Sequence, residues 1–594
     1  MYYPKMKAET ALANKRSYSG SHNNTSSVAK NLSHSLVFVW TFHISNAKNI
    51  TYSLIAAPFS ADQSLAVVID NTTWPLYETY GILYQGKAPI ATTGYYYAIL
   101  ENDKQPNVTE AFHRTPSQKD TVNEFFNRTS EYHQVLSLPQ MLPPLPSINR
   151  IDTDLHIQGQ IPTIHIWGNA SAVKYLHEKP LEDINVRLNF TYIGLHNVQT
   201  FEDVKVSLAG RSSRYLPKLS YGLKLKKKNE NNLFGFKNFK LRALGLDPSY
   251  IREYITYSVI KSVGLPASGF SYVRLFINNK PVGFYGLIET FQDPWLANEF
   301  AHGDKDYQSG FLYQGITIKK NQTIPVLSDL SYSSNISHYS AGEYKIKAGP
   351  EKNSDADYTD LQKFTKFVFE ANSSADSSQW NKHIDCDGFI RSMVLENLLG
   401  FSDAYMTLAD NYYLYSNPKS DGRMIFISSD LDTSLGISLF NMTMMISGNY
   451  TEHPGFTFQP LTKKFFSHEA FSTSYQRMLM NLTQSLINPT IMNPFIDSIV
   501  EMIRSDVEWD DKLERIGESN IPPVGGGQNS SNGDGLGLDM FPPGLRSDWS
   551  DVPQTFDSAI NGPTNSSTRE SVKGFILRKS SAILDFYGNN SFNK

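Results

Sequence analysis

Acidic and amide side chains frame a predicted β-hairpin in the second half of the chain. Asp403 and Asn411 precede an aromatic run, Tyr412-Tyr-Leu-Tyr415, and Asp430 follows a second apolar run, Met424-Ile-Phe-Ile427. The Pro, Asp and Gly residues between the two runs are typical of a hairpin turn. Antiparallel pairing places the two ends side by side, so Asp403, Asn411 and Asp430 are predicted to converge. Because hard cations take oxygen ligands, the hairpin predicts a magnesium–nucleotide site.

Three aspartates of this stretch have alternative roles. Asp432 suits either a second metal ion or a hydrogen bond that holds the strand end, and Asp410 is predicted to cap the turn into the strand. Asp403 ends a predicted helix, where an aspartate alone usually bonds the local backbone. Its position opposite Asp430 favours a catalytic base within reach of an acceptor hydroxyl.

A basic loop at residues 209–218 separates two predicted strands. Its Ser212 and Ser213 hydroxyls and backbone amides are candidates to hold phosphate oxygens, helped by Arg211, Arg214 and Lys218. The loop contains a single glycine and does not match a Gly-x-Gly-x-x-Gly pattern. An ordinary basic surface loop is therefore the alternative interpretation.

Three lysines are candidates for a phosphate-binding lysine: Lys218, Lys224 and Lys240. Lys240 precedes a helix that is predicted to begin at Asp247, because Asp caps free amides and the next residue, a proline, suits the first turn. Glu253 on that helix is the expected carboxylate partner of the lysine.

The order of predicted elements indicates an α+β protein. Strand, loop, strand, strand, helix, strand, strand is the order of a protein-kinase small lobe, and helical periodicity dominates the residues that follow. We therefore predict a kinase-like two-lobe fold preceded by a small all-β sandwich domain. The predicted parts are a disordered segment at 1–34, a β-sandwich at 35–101, a Pro-rich linker at 102–150, a small lobe at 151–290, and a mainly helical large lobe at 291–594 with a Gly/Pro-rich loop at 521–548.

Composition narrows the class of protein. With 594 residues, 40% of them hydrophobic and 19% charged, the chain is predicted to be globular with more than one domain. A net charge of -4 gives no reason to expect nucleic acid as a partner. The single cysteine, Cys386, excludes an intrachain disulfide and a cysteine-based zinc site.

Glycosylation acceptors favour a secreted or cell-surface protein. Asn-x-Ser/Thr sequences, some of which arise by chance in a chain rich in Asn and Ser, are spread over nearly every segment. Neither a signal peptide, a transmembrane helix nor a lipid-anchor tail is recognised in the sequence. The acceptors are Asn23, Asn24, Asn31, Asn49, Asn71, Asn107, Asn127, Asn169, Asn189, Asn321, Asn335, Asn372, Asn441, Asn449, Asn481, Asn529, Asn565 and Asn589.

Together these motifs resemble the CotH family of atypical spore-coat kinases, and most closely its fungal cell-surface members. The resemblance covers roughly residues 150 to 590. The matching motifs are Gly210-Arg-Ser-Ser-Arg, Lys240-Leu-Arg-Ala-Leu, Asp247-Pro-Ser-Tyr-Ile-Arg252, the segment from Asn278 through Tyr285 to Glu289, and the block Asp403, Asn411, Asp430-Leu-Asp432.

The resemblance implies a secretory-pathway kinase that transfers the ATP γ-phosphate to Ser or Thr of surface or coat proteins, including itself. It implies Asp403 as catalytic base, Asn411 and Asp430 as ligands of Mg²⁺ or Mn²⁺, and Glu289 among the nucleotide-binding residues. The fungal relatives also resemble adhesins, which implies a host-cell or cell-wall receptor. A glycosylated adhesin on a kinase-like scaffold without catalysis is therefore the alternative function.

Overall fold

Strands provide most of the first half of the protein and helices most of the second. The computed structural model describes residues 48–58, 60, 62–102, 105–210, 212–226, 232–317, 327–350, 357–371, 377–517, 554–564 and 566–589. The predicted disordered segment 1–34 and the predicted loop 521–548 lie outside these residues. The mixture of sheets and helices confirms the predicted α+β class.

A seven-stranded sheet opens the described chain, in the order β6-β5-β2-β3-β4-β1-β7. Alternate residues of β1 and of β5, such as Tyr52 and Tyr97, pack into one hydrophobic core, so the sheet curls over onto itself. Its strands are β1 (Asn49–Ile55), β2 (Gln63–Ile69), β3 (Thr72–Tyr80), β4 (Leu83–Pro89), β5 (Tyr95–Glu101), β6 (Gln105–Thr109) and β7 (Asn123–Phe125).

The segment 102–150, for which a linker is predicted, is integrated into the fold. It contributes β6 and β7 to the first sheet. Further along, the amides of Met141 and Leu145 donate to Ser262 O at 2.8 Å and Gly264 O at 2.9 Å, and Leu145 is buried. The proline-rich stretch 139–146 forms no strand, but the amides of Met141 and Leu145 find carbonyl partners at the end of α2, a helix whose bounds are Arg252–Ser262. The linker prediction is wrong for these residues.

A closed barrel follows, with the strand order β10-β11-β12-β14-β13-β8-β9. Strand residues alternate between the apolar interior and the outside, as Phe239 and Leu241 do on either side of Lys240. The elements of this region are β8 (Thr163–Trp167), α1 (Ala170–Glu178), β9 (Asn185–Ile193), β10 (Val198–Ala209), β11 (Ser220–Lys224), β12 (Asn238–Arg242), α2 (Arg252–Ser262), β13 (Ser271–Ile277) and β14 (Lys280–Glu289).

Helix α2 begins five residues later than Asp247, where its start is predicted. Asp247 does cap it, since its carboxylate accepts from the amides of Ser249 and Arg252, both at 2.9 Å. The residues between do not become helical because Tyr250 has a positive φ of 59°. Ile255 and Val259 of α2, and Ile251 directly before it, are buried.

A four-stranded sheet, ordered β16-β15-β17-β18, and a group of helices complete the chain. None of the described helices is long and apolar enough to cross a membrane. The strands are β15 (Leu312–Gly315), β16 (Tyr344–Ala348), β17 (Tyr412–Asn417) and β18 (Arg423–Ser428). The helices are α3 (Trp295–Phe300), α4 (Ser337–Ala341), α5 (Thr359–Glu370), α6 (Ser377–His383), α7 (Cys386–Leu398), α8 (Tyr405–Leu408), α9 (Met442–Met445), α10 (Pro460–Phe465), α11 (Glu469–Ser485), α12 (Pro489–Asp511), α13 (Phe556–Asn561) and α14 (Val572–Asn589).

Candidate active site

The hairpin β17–β18 brings the predicted acidic and amide residues together. The two strands pair from Tyr412 opposite Ser428 to Asn417 opposite Arg423, as the sequence predicts. Asn411 Nδ2 donates to Asp403 O at 3.1 Å. The amide of Ser429 donates to Asn411 O at 2.9 Å and places the next residue, Asp430, at the same end of the hairpin.

Asp403 lies in a negative environment that favours its protonated form. Burial raises the pKa of its carboxyl group well above the ordinary value, and the nearby charges of Asp432 and Asp430 raise it further. A hydrogen bond from the Thr433 hydroxyl to Asp403 Oδ1 acts in the opposite direction. A carboxylate with a raised pKa is suited to accept a proton from a hydroxyl group.

Arg242, at the end of β12, holds the other two carboxylates. Its guanidinium bonds Asp430 Oδ1, and its Nη2 lies 2.9 Å from Asp432 Oδ2. Burial alone would lower the pKa of Arg242, but these carboxylates and Glu253 raise it well above its usual range. Arg242 is not among the site residues that the sequence predicts. Its position could have identified it, because Arg242 is two residues after Lys240 and its side chain is therefore on the same outer face of β12.

Glu253 on α2 is the third partner of this guanidinium. Arg242 Nε donates to Glu253 Oε2 at 2.9 Å, and both side chains are buried. Burial raises the pKa of Glu253 to about 7, which the charge of Arg242 partly opposes. The helix glutamate is therefore a partner of Arg242, whereas a pair with Lys240 is predicted from the sequence.

Three residues around this cluster have left-handed backbone conformations. Ala409, Asn411 and Asp430 have φ of 53°, 54° and 55°. Asn and Asp tolerate this region, but an alanine there is strained. Such strain concentrates at functional sites, where the surrounding structure maintains it.

The oxygen-bearing side chains fit a hard cation such as Mg²⁺ or Mn²⁺. The Asp430 side chain is 39% exposed and that of Asp432 is 20% exposed. Asn411 uses its Nδ2 within the chain, which leaves Oδ1 as the acceptor end of the amide. The close carboxylates repel one another, and a bound cation would relieve that repulsion. Within the described residues, no group of three or more His, Cys, Asp or Glu side chains forms a ready metal cage.

One of the predicted phosphate-binding lysines, Lys240, contacts the cluster. Lys240 Nζ is 3.6 Å from Asp430 Oδ2. Burial lowers the pKa of Lys240, with a further contribution from Arg242. Lys224 is on the neighbouring strand, β11. Burial lowers the pKa of Lys347 of β16 to about 8, and the charges of Lys240 and Lys224 contribute to this shift.

Lys218 belongs to a different buried network. Its Nζ donates to Asp510 Oδ2 at 2.7 Å and to Phe284 O at 2.6 Å. Burial lowers the pKa of Lys218 to about 8, although Asp510 opposes this. The ammonium of Lys218 thus contacts Asp510 and Phe284 and not the carboxylates around Arg242, and its role in phosphate binding stays a prediction.

Glu289, for which nucleotide binding is predicted, lies at the end of β14. It accepts hydrogen bonds from the Ser268 hydroxyl and, at 2.6 Å, from the amide of Gly269, and it lies 3.3 Å from His156 Nε2. Burial would raise its pKa, but His156 and the hydrogen bonds lower it to about 2. The Glu289 carboxylate is thus held in place by Ser268, Gly269 and His156.

The predicted phosphate loop is only partly described. Arg211 lies outside the described residues, whereas Ser212 and Ser213 open a short 3₁₀ helix, Ser212–Tyr215. Arg214 Nη1 is 2.8 Å from Asp183 Oδ1, and its Nη2 donates to Leu208 O at 2.9 Å. These contacts fix the base of the loop, and the roles of Arg211, Ser212 and Ser213 stay predictions.

Comparison with known proteins identifies relatives over most of the chain. Spore coat protein homolog 1 of Rhizopus delemar is 25% identical over 462 residues, covering 74% of this chain and 71% of the relative. Invasin CotH3 of the same fungus is 23% identical over 480 residues, covering 79% and 76%. Inner spore coat protein H of Bacillus subtilis is 24% identical over 313 residues, covering 52% and 78%.

The family model described as CotH kinase protein matches residues 206–519. This match is more than half of the chain. It includes Arg242, Glu253, Asp403 and Asp430, so the cluster described above lies inside the family domain. The chain therefore belongs to the CotH kinase protein family.

Proposed function

We propose that this protein is a metal-dependent protein kinase that transfers the γ-phosphate of ATP to Ser or Thr of surface or coat proteins, with the chain itself among the candidate substrates. The observation that carries the proposal is the Arg242 guanidinium, which joins Glu253 of α2 to Asp430 and Asp432 after the hairpin. Protein kinases use a cationic strand residue, a helix glutamate and a metal-binding aspartate in this relationship.

Asp403 is the proposed catalytic base. It lies beside Asp430 and Asp432, and its raised pKa increases its affinity for the proton of an acceptor hydroxyl. The proton would pass from the Ser or Thr oxygen to Asp403 as that oxygen attacks the γ-phosphorus, and the bond from the γ-phosphorus to the β,γ-bridging oxygen would break to release ADP. The hydrogen bond from Asn411 to Asp403 O supports the backbone that presents this carboxylate.

Arg242 is the proposed phosphate-binding cation. A guanidinium makes paired hydrogen bonds to phosphate oxygens, and the bond from its Nε to Glu253 fixes its orientation. Lys240 adds a second positive charge 3.6 Å from Asp430. Asn411, Asp430 and Asp432 would hold Mg²⁺ or Mn²⁺, which when bound neutralises charge on the phosphate oxygens.

The fold supports a two-lobe interpretation of this site. The barrel and α2 supply Lys240, Arg242 and Glu253, whereas the loop after α7 and the hairpin β17–β18 supply Asp403, Asn411 and Asp430. Substrate would then bind between the barrel and the sheet that contains the hairpin. In this interpretation the barrel corresponds to the kinase small lobe and the helical region to the large lobe.

Transfer of radiolabel from ATP in the presence of Mg²⁺ or Mn²⁺ tests the proposal. We expect label on the protein or on an added surface-protein extract, and its loss in the Asp403→Asn and Asp430→Asn variants. Asp421→Asn is the matched control, because Asp421 is exposed at the opposite end of the same hairpin. Equal labelling of all four proteins would reject the proposed reaction.

A second function, adhesion, is supported by the names of two relatives, Invasin CotH3 and Invasin CotH7 of Rhizopus delemar. We propose on this basis a location on the coat or cell surface and a host-cell or cell-wall receptor. Binding of the purified protein to host cells, compared between the parent and the Asp430→Asn variant, separates the two functions. Unchanged binding by a variant without transferase activity would show that adhesion does not require catalysis.

N-glycosylation would accompany this location. The acceptors Asn441 and Asn449 are in partly exposed turns that precede short helices. Protein purified from its natural source should lose mass on treatment with an N-glycosidase. No loss of mass would contradict passage through a glycosylating secretory pathway.

A further inference from the structure

A surface cavity of about 230 Å³ lies against helix α2, and we call it the α2 cavity. The helix lines it with one face, on which residues recur at intervals of three or four. The residues of this face are Tyr254, Tyr257, Ser258 and Lys261. The other walls are formed by strand β13, helix α12 and residues between 137 and 160. The cavity is therefore enclosed by elements that are far apart in the chain.

The floor of the α2 cavity is aromatic. The rings of Tyr254 and Tyr272 are stacked with centroids 5.4 Å apart, and those of Tyr257 and Phe270 are stacked at 6.2 Å. Phe495 of α12 adds a fifth ring, 6.2 Å from that of Tyr254, and all five residues are buried. A cavity of about 150 Å³ is enough to bind benzene, so the α2 cavity has room for an aromatic ring with a short side chain.

Lys261 adds a positive charge to the wall above this floor. Among the residues that the structure describes, none forms an ion pair or a hydrogen bond with its ammonium. Burial lowers the pKa of Lys261, and the charges of Glu289 and Glu299 oppose this shift. Each of these carboxylates has a nearer partner, since His156 Nε2 lies 3.3 Å from Glu289 and Arg150 Nη2 lies 2.8 Å from Glu299. A half-buried ammonium without a counterion is unfavourable, so the cavity favours an anion.

We propose that the α2 cavity binds a small aromatic acid, whose ring packs on the aromatic floor and whose carboxylate pairs with Lys261. The ring would bury apolar surface against Tyr254 and Phe270, and aromatic rings pack favourably both edge to face and offset. A single ammonium matches a single carboxylate, whereas most of the negative charges of a nucleotide would remain unpaired there.

A ligand in the α2 cavity would also affect the candidate active site, because both are built on helix α2. Tyr257 lines the cavity one turn after Glu253, and residues four apart are neighbours on a helix. Glu253 in turn holds Arg242 through the bond of 2.9 Å between Oε2 and Nε. A ligand that contacts α2, α12 and β13 at once stabilises this position of the helix. It would therefore strengthen the binding of ATP, an effect that rests on the proposed kinase function.

A titration with phenylacetate in the absence of nucleotide, followed by saturation-transfer NMR, measures binding independently of catalysis. We expect saturable binding by the parent protein, and binding about tenfold weaker for the uncharged phenylacetamide and for the Lys261→Met variant. Ser258→Phe should abolish binding by filling the cavity, and its fold should be kept because the Ser258 hydroxyl bonds only within the helix, to Tyr254 O. The matched control is Lys366→Met, which removes an exposed lysine from α5 and should bind as the parent does.

Amide hydrogen exchange of α2, with and without phenylacetate, tests the link to the active site without relying on catalysis. We expect slower exchange at residues 252–262 of the parent protein and no change in Ser258→Phe. The affinity of the parent protein for ATP with Mg²⁺ should rise about fivefold in the presence of phenylacetate.

Equal affinity of the parent protein for phenylacetate and phenylacetamide would overturn the proposal, because the carboxylate would then not be recognised. So would the absence of saturable binding, or equal binding of phenylacetate by the parent and by Ser258→Phe. Bound phenylacetate that leaves hydrogen exchange in α2 unchanged would overturn the effect on the active site. If α2 is protected but the protein neither binds ATP nor transfers phosphate, the ligand site stands and the proposed kinase function fails.

Discussion

Arg242 and Glu253 form a buried ion pair that joins strand β12 to helix α2, with 2.9 Å between Nε and Oε2. The same guanidinium also bonds Asp430 and Asp432 beyond the hairpin β17–β18. One side chain therefore connects the barrel, the helix and the acidic end of the hairpin. Any motion of α2 that moves Glu253 would change the orientation of the cation that faces the carboxylates.

Replacing Arg242 by lysine should abolish most of the activity although the positive charge is kept. A lysine ammonium cannot make the paired bonds of a guanidinium and cannot hold Glu253 and two aspartates at once. We expect kcat/KM for ATP to fall on the order of 100-fold. Steady-state kinetics against ATP concentration measures this effect.

Arg391→Lys is the matched control, since Arg391 also bonds a carboxylate, of Asp387, and a carbonyl oxygen, of Val263, but lies near the start of α7. Its kcat/KM should stay within a few-fold of the parent value. Similar losses in the two variants would mean that Arg242 contributes only to folding, which circular dichroism of the two proteins would also reveal.

The acidic end of the hairpin could be predicted because its signals are local. The aromatic and apolar runs, the Pro/Asp/Gly turn and the positions of Asp403, Asn411 and Asp430 all lie within thirty residues. Strand pairing then determines which ends meet, and no long-range information is needed.

The partners of the basic residues could not be predicted in the same way. Arg242 bonds Asp430, 188 residues later, and Lys218 bonds Asp510, 292 residues later. Which of several lysines and arginines reaches a given carboxylate depends on the packing of distant elements, and residue type alone does not encode it. The linker prediction for 102–150 fails for a related reason, because Pro and polar residues are typical of a linker but do not exclude short strands such as β6 and β7 or close packing against distant elements.

Replacing Asp432 by asparagine should shift the acid limb of the pH–rate profile to lower pH. Burial and the charges of Asp432 and Asp430 raise the pKa of Asp403. Removing one negative charge lowers that pKa, and because a base acts only when deprotonated, activity then persists at lower pH. We expect a shift of about one pH unit in kcat/KM, even if the maximal rate falls.

The same profile for Asp421→Asn should superimpose on that of the parent, since Asp421 is at the far end of the hairpin. An acid limb that stays at the parent position in Asp432→Asn would exclude Asp403 as the titrating base.

Replacing Lys218 by methionine should destabilise the protein without changing ATP binding. The variant leaves the buried carboxylate of Asp510 with Arg515 and the Tyr250 hydroxyl but without the ammonium 2.7 Å away. Breaking a buried pair from one side costs about 3–5 kcal/mol. Differential scanning fluorimetry should therefore show a lower Tm.

The double variant Lys218→Met, Asp510→Asn should recover part of the lost stability. In this variant residue 510 no longer has a negative charge, so the loss of the Lys218 ammonium leaves no carboxylate without its partner. The increase in Tm that ATP and Mg²⁺ cause should be the same in the parent and in Lys218→Met. Its loss in that variant would instead restore Lys218 as a phosphate-binding residue.

Replacing Lys579 by methionine should stabilise the protein, and most strongly below pH 7. Lys579 is fully buried on α14, where its Nζ donates to Met445 O at 2.9 Å and to Ser447 O at 3.0 Å. Burial lowers the pKa of Lys579 to about 7, whereas in the unfolded chain it stays near 10.5. Between these values the unfolded chain binds more protons, so the lysine opposes folding less as the pH rises from 7 to 10.

The difference in Tm between Lys579→Met and the parent should accordingly be largest at pH 6, shrink at pH 8 and be small or reversed at pH 10. Losing the bonds to two carbonyl oxygens offsets the gain by about 1 kcal/mol each. The neighbouring His453 does not titrate in this range, because burial lowers its pKa well below 6.5. Lys573→Met, on the same helix but partly exposed, is the control and should show no such trend. A Tm difference independent of pH for Lys579→Met would mean that the ammonium keeps its ordinary pKa in the folded protein.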